Sequence, residues 1–177
     1  AIWRGMMYPP DFGNPLGKGK NPSNTNVMFV GGRVLSLWEG GGPYRIGLPS
    51  LDTAGPETFG GRLKGPMTAH PHRDAKTGEV LFFGYSAVPP LCTYGVIDAT
   101  GEMVHLTSID LPAPSMMHDF VFTERYAVIC DFPCKLRIER GMRGENPITW
   151  EPEMGSRFGV IPRRGSQKDV RWFVGNP

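Results

Sequence analysis

The 177-residue sequence predicts an all-β fold, a partial β-propeller of about three blades, and three observations carry that prediction. Gly 24 and Pro 18 sit as punctuation between short apolar runs, the composition of a chain with many turns and short strands. Those runs recur in register. Aligning VLSL with VLFF pairs Val34 with Val80, 46 residues apart, and AVIC begins at Ala127, 47 residues after Val80. Units of roughly 40 to 50 residues made of short antiparallel strands mark propeller blades, whereas a sandwich shows no such recurrence. Finally, His70 and His118 stand 48 residues apart at the entries of matching units.

Taken in order, the chain to about Ser23 is rich in Gly, Pro, Asn and Lys and reads as a loop-rich lead-in (1–23) to a single partial propeller domain (1–177). NVMFV and RVLSLWE, joined by Gly31 and Gly32, form a hairpin, because glycine supplies the positive φ a tight turn requires. PYRIGL follows the Gly40 to Pro43 turn as a third strand, and LDTAGPETFGG closes the unit. In the second unit EVLFFGY, LCTYGVID and MVHLTSI are strands, with ATGE turning between the last two. The third unit starts with HDFVFTERYAVICDFP, turning at Glu124 and Arg125. A closed propeller needs typically four to eight blades, so three read as a fragment that leaves its outer sheet faces and edge exposed.

The composition excludes several classes. With 40% apolar residues the chain can build a core, and a formal charge of +2 without a basic stripe gives no argument for a nucleic-acid partner, so none is expected. Cys92, Cys130 and Cys134 are odd in number, lack a CxxC pair and lie in or beside apolar runs, so they read as buried free thiols of a reducing compartment. No run reaches the roughly 20 apolar residues of a membrane span. The expected location is cytoplasmic or peripheral to a membrane. Because the chain opens on Ala1, its start is not read as a native N-terminus, and the lack of a signal segment carries little weight.

A histidine repeated once per unit is carried by symmetry toward a central axis, where neutral imidazoles converge on one ion. His70 and His118 are therefore the candidate metal ligands. Glu39, at the mouth of the first unit, is either a solvated strand end or the acceptor that holds a ligand imidazole N–H so that its other nitrogen faces the metal. His72 is expected to turn into the loop and His105 has no partner at repeat spacing, so both read as structural or surface residues. Asp119 is expected to serve the local backbone. Met116, Met117, Phe120 and Phe122 read as core, or as the lining of a pocket for an extended apolar substrate.

From about Asn24 to Phe173 the blocks NTNV, RVLSLWEGGGPY, FGGRL, TAHPHRD, TGEVLFFGY, MMHDFVFTERYAVICDFP, RFGVIPRRG and DVRWF occur in an order that resembles the carotenoid cleavage oxygenases. The resemblance implies a seven-bladed propeller holding Fe(2+) with four histidines and three outer glutamates. His70 matches the first ligand, His118 the second and Glu39 one of the glutamates. It also implies cleavage of a conjugated double bond by O2 into two carbonyl products. The family's third histidine follows the segment matching RWF, beyond which this chain ends at VGNP, and the fourth is absent too. The chain by itself is therefore expected to be inactive.

Stilbene-cleaving members place a lysine beside the outer glutamate, where this sequence has Trp38. An indole cannot act as an ammonium toward a phenol oxygen, which favours an apolar polyene, a carotenoid or apocarotenoid, as substrate. Peripheral membrane contact by the full-length protein would suit so lipid-soluble a substrate. Two alternatives stay open: a stilbene-cleaving dioxygenase of the same family, and a non-catalytic propeller segment in which both histidines merely satisfy core hydrogen bonds.

Overall fold

Antiparallel pairing builds nearly everything in the computed structural model of the protein, which describes residues 21–175. The first sheet is an up-and-down meander of β1 (Asn26–Val30), β2 (Arg33–Leu37), β3 (Tyr44–Ile46) and β4 (Thr53–Pro56). The second repeats it with β5 (His72–Arg73), β6 (Val80–Tyr85), β7 (Cys92–Ile97) and β8 (Met103–Ile109). The third starts with β9 (Val121–Phe122) and β10 (Tyr126–Asp131). It then detours through a hairpin of β11 (Cys134–Leu136) and β12 (Ile148–Trp150), joined by the short helix α1 (Ile138–Met142). It is completed by β13 (Arg157–Pro162) and β14 (Arg171–Val174). Three four-stranded sheets in series are the blades of a partial propeller.

Val34, Val80 and Ala127, aligned above by sequence alone, lie on β2, β6 and β10, the second strand of each sheet. Two features escaped the sequence reading. The second unit has an additional first strand, β5, only two residues long, whose hydrophobic signal is nil. It contains His72, paired with Leu81, so the expectation that His72 turns into a loop is corrected: its backbone is part of the sheet. The third blade gains two strands only after the β11–β12 insertion, which breaks the repeat spacing. Of the expected lead-in, residues 1–20 lie outside the described residues, and the chain from Asn21 to Asn24 is irregular.

The middle sheet explains why VLFF reads as a continuous apolar run. Successive strand side chains point to opposite faces. Val80 and Phe82 join Leu35, Leu37, Phe59 and Met67 in one core cluster, while Leu81 and Phe83 join Tyr94, Met117, Phe120, Ala127 and Ile129 in another. A sheet sandwiched between two others has no wet face, so alternation disappears. The outer sheets behave differently: Val27 and Phe29 on β1 and Phe173 and Val174 on β14 are exposed.

The hairpin turn of β1–β2 abuts the second sheet at one tight point. Gly31, at φ +55°, stands so close to the β7–β8 turn that a Cβ there would lie 2.3 Å from the Thr100 carbonyl oxygen. The Arg33 guanidinium donates to the Gly101 carbonyl across the same seam. On the other seam, Arg163 Nη1 is 2.6 Å from Asp74 Oδ2, and the Tyr94 hydroxyl donates to the Arg163 carbonyl at 2.9 Å. The expectation of three buried thiols is corrected in part: all three are free, Cys92 is buried, and Cys130 and Cys134 are half-buried. Among the described residues no helix is long and apolar enough to cross a membrane.

Candidate metal centre

In an antiparallel pair the end of the second strand lies beside the start of the first; in the first sheet Asn26 opposes Leu37. Residues just before a blade's first strand and just after its second therefore gather at one end. Glu39 follows β2 by two residues, His70 precedes β5 by two, and His118 precedes β9 by three. The three meet there. The His70 and His118 ring centroids are 4.6 Å apart, with the planes inclined at 60°. Glu39 Oε2 lies 3.0 Å from His118 Nδ1.

Each ligand candidate is held by its neighbours. The Thr68 hydroxyl accepts the His70 backbone N–H at 3.0 Å, and the backbone N–H of Thr68 donates to the Phe83 carbonyl at 2.7 Å. Asn26 reaches over from the first sheet, its Nδ2 donating to the Ala69 carbonyl at 2.8 Å. On the other side, Met117 and Phe120 are both buried in the second core cluster, so His118 is tethered at each flank while its own ring stays exposed. Further back, Ser115 is locked in a buried network: Lys135 Nζ donates to its hydroxyl and to Asp131 Oδ1, both at 2.7 Å, and Arg157 grips Asp131 Oδ2 at 2.8 Å.

The nitrogens show what the pair can do. A carboxylate only accepts, so the Glu39 contact puts the proton of a neutral His118 on Nδ1 and leaves Nε2 with a bare lone pair. His70 Nε2 is buried and has no hydrogen-bond partner. A buried ring nitrogen left unpaired carries a desolvation cost that a bound cation removes. Two imidazole nitrogens are thus available side by side, a donor set that suits a divalent first-row metal. They do not complete a site: among the described residues no three His, Cys, Asp or Glu side chains stand together as a metal-binding group.

Tyr85 was missed by sequence reasoning, although a signal existed. The repeat that carries Val34 to Val80 also carries Glu39 to Tyr85, at the end of β6. Burial, reinforced by the Glu39 carboxylate beside it, pushes the Tyr85 phenol well above its usual pKa, so it stays a neutral donor facing that carboxylate. Asp119 does serve the backbone, accepting the Phe120 N–H at 2.8 Å, but the same Oδ1 also lies 2.8 Å from His72 Nε2. His105 stands apart, its Nε2 2.9 Å from the Gly165 carbonyl oxygen, and burial lowers its pKa. The Trp38 ring folds back over Gly40.

The family model described as retinal pigment epithelial membrane protein matches residues 1–177. The isoeugenol monooxygenase of Pseudomonas putida is 36% identical over 176 residues, covering 96% of this chain and 37% of that protein. The carotenoid 9,10(9',10')-cleavage dioxygenase 1 of Arabidopsis thaliana is 38% identical over 160 residues, covering 88% of this chain and 30% of that protein. The crystal structure of the Pseudomonas brassicacearum lignostilbene dioxygenase superposes with a TM-score of 0.83 at 35% identity, over 92% of this chain and 35% of that one. The chain thus spans about a third of the length of the proteins it matches.

Proposed function

The chain belongs to the carotenoid cleavage oxygenase family, and from that premise we propose that it is part of a non-haem Fe(2+) dioxygenase whose iron is held in part by His70 and His118. The observation that carries the reading is the pair of ring nitrogens: His70 Nε2, buried without a partner, beside a His118 whose Nδ1 is taken by Glu39. When bound, ferrous iron would supply the activation of O2 beside a conjugated alkene, whose double bond is broken as each carbon takes one oxygen to become a carbonyl.

This chain's residues then have separate tasks. His70 and His118 present neutral nitrogens, which leave the ion its full double charge. Glu39 fixes the tautomer and the ring plane of His118. Tyr85 places a neutral phenol beside the Glu39 carboxylate. The network of buried Ser115, Asp131 and Lys135, closed by half-buried Arg157, holds the backbone that delivers His118.

For the substrate we favour an apolar polyene, a carotenoid or apocarotenoid, because Trp38 offers no cation to a phenol oxygen. The second reading is an aryl alkene, favoured by relatives named for isoeugenol and lignostilbene. Peripheral membrane contact belongs to the polyene reading, since that substrate partitions into lipid.

The test is O2 uptake and carbonyl product analysis on the whole protein that carries this chain, loaded with Fe(2+), with an apocarotenal and a para-hydroxystilbene offered side by side. The expected result is two carbonyl products from the apocarotenal for each O2 consumed, and loss of both iron and activity in His70→Ala and His118→Ala. Preference for the hydroxystilbene installs the second reading. Full iron content in both alanine variants would remove the metal role of these histidines.

A further inference from the structure

His70 and His118 approach each other from different blades, with 48 residues of chain between them. Beside their rings the two segments are joined by a second contact. His72 Nε2 lies 2.8 Å from Asp119 Oδ1 and 3.1 Å from the Phe120 carbonyl oxygen, and its ring packs 4.9 Å from that of Phe120 and 5.7 Å from that of Phe122. Both oxygens are acceptors, so the proton sits on Nε2 and is shared between them.

Each partner is itself fixed. The His72 backbone is paired with Leu81 in the second sheet, and Pro71, with its restricted φ, separates it from His70. The Asp119 carboxylate is tied to the third blade through the Phe120 N–H at 2.8 Å, and Asp119 is covalently next to His118. One hydrogen bond thus spans two segments at positions two residues from one ligand candidate and one residue from the other.

We propose that His72 and Asp119 are positioning residues: their contact sets the distance and angle at which the His70 and His118 imidazoles meet, and so the affinity for the metal. This rests on the metal-centre reading above. The pair is part-exposed, with Asp119 more than half accessible, and ion pairs in that setting contribute little to global stability. Its effect is therefore expected in metal affinity, where displacement of outer partners typically costs about 10- to 100-fold.

The experiment is anaerobic Co(2+) titration of the whole protein, read by the cobalt absorption spectrum, together with the melting midpoint of the metal-free form. Asp119→Ala and His72→Ala are each expected to raise the Co(2+) Kd about 10- to 100-fold, and the double variant no further than the worse single one, with the metal-free midpoint unchanged. Asp119→Asn keeps an acceptor oxygen and is expected to restore the affinity to within a few-fold. If Asp119→Ala binds Co(2+) like the parent while His70→Ala does not bind it, the clasp is refuted and the metal centre stands. If His70→Ala also binds Co(2+) normally, the metal centre falls and the clasp with it. A lowered metal-free midpoint with unchanged Kd and spectrum assigns the pair to folding alone and overturns the proposal.

Discussion

Glu39 and His118 are 79 residues apart in sequence and belong to the first and third blades, yet Glu39 Oε2 sits 3.0 Å from His118 Nδ1. No neighbouring segment makes this contact; it exists because three consecutive sheets bring their corresponding ends together. The carboxylate closes an arc that begins at the β2 end and finishes on the His118 ring, where an acceptor-only oxygen holds the proton of the neutral imidazole on Nδ1.

Removing that carboxylate should act through the ring it orients. Glu39→Ala is expected to weaken Fe(2+) retention about 10- to 100-fold, whereas Glu39→Gln, which keeps an acceptor oxygen at the same reach, should lose less. Equilibrium dialysis of the two variants checks this, and equal retention by Glu39→Ala and the parent would sink the assigned role.

Two adjacent glycines offer an internal comparison. Gly31 and Gly32 both have positive φ, but only Gly31 faces a neighbour within 3 Å, while nothing lies within 4 Å of a Cβ on Gly32. Gly32→Ala should therefore cost only the left-handed backbone strain, about 1–2 kcal/mol, and Gly31→Ala that amount plus a clash with the Thr100 carbonyl. At about 2–4 °C of melting midpoint per kcal/mol in a protein of this size, thermal unfolding separates the two; equal shifts would mean that the seam at Gly31 yields.

The network behind His118 should make stability depend on pH in the acid range. Burial alone would raise the Asp131 pKa, but hydrogen bonds from Lys135, Ser115 and Arg157 outweigh it and hold the carboxyl below its ordinary value. A depressed folded-state pKa means that the stabilisation is fully present above the unfolded value, about 3.9, and is lost as pH falls through the folded one. Asp131→Asn is expected to destabilise by about 3–5 kcal/mol at neutral pH, because it leaves Lys135 buried without its counter-charge. The deficit should shrink below pH 4 in urea titrations; a deficit independent of pH would contradict the assignment.

The thiols should react in a fixed order. Cys92 is fully buried, and burial pushes its pKa far above the usual thiol range; Cys130 is raised too, by partial burial and by Asp119, while Cys134 is half-buried. At pH 8, iodoacetamide followed by mass mapping should label Cys134 and Cys130 while sparing Cys92 until the protein is unfolded. Native labelling of Cys92 would show that the middle sheet opens.

Much of this was legible in the chain. The hairpin at Gly31 and Gly32, the 46- and 47-residue registers and the strand runs of the second unit follow from turn chemistry and hydrophobic pattern, which are local properties. β5 was hidden because two residues, His72 and Arg73, carry no pattern and are a strand only through Leu81 and Val80 opposite them. The third blade was half hidden because the β11–β12 insertion displaces β13 and β14 from repeat spacing. Tyr85 was within reach of the repeat register, but its role depends on a carboxylate from another sheet.

By itself the sequence determined the three blades of this chain, the strands that line up between them, and the equivalence of His70 and His118, because a repeat encodes equivalence directly; Glu39 it left as either a solvated strand end or an acceptor. It did not determine who touches whom. That Glu39 serves His118 rather than His70, that His70 Nε2 is left unpaired, that His72 reaches Asp119, and that Lys135 is buried against Asp131 are decided by how the sheets face one another. Contacts of that kind join residues tens of positions apart, and only packing, which removes water from one side of each sheet, selects among the partners that the sequence leaves equal.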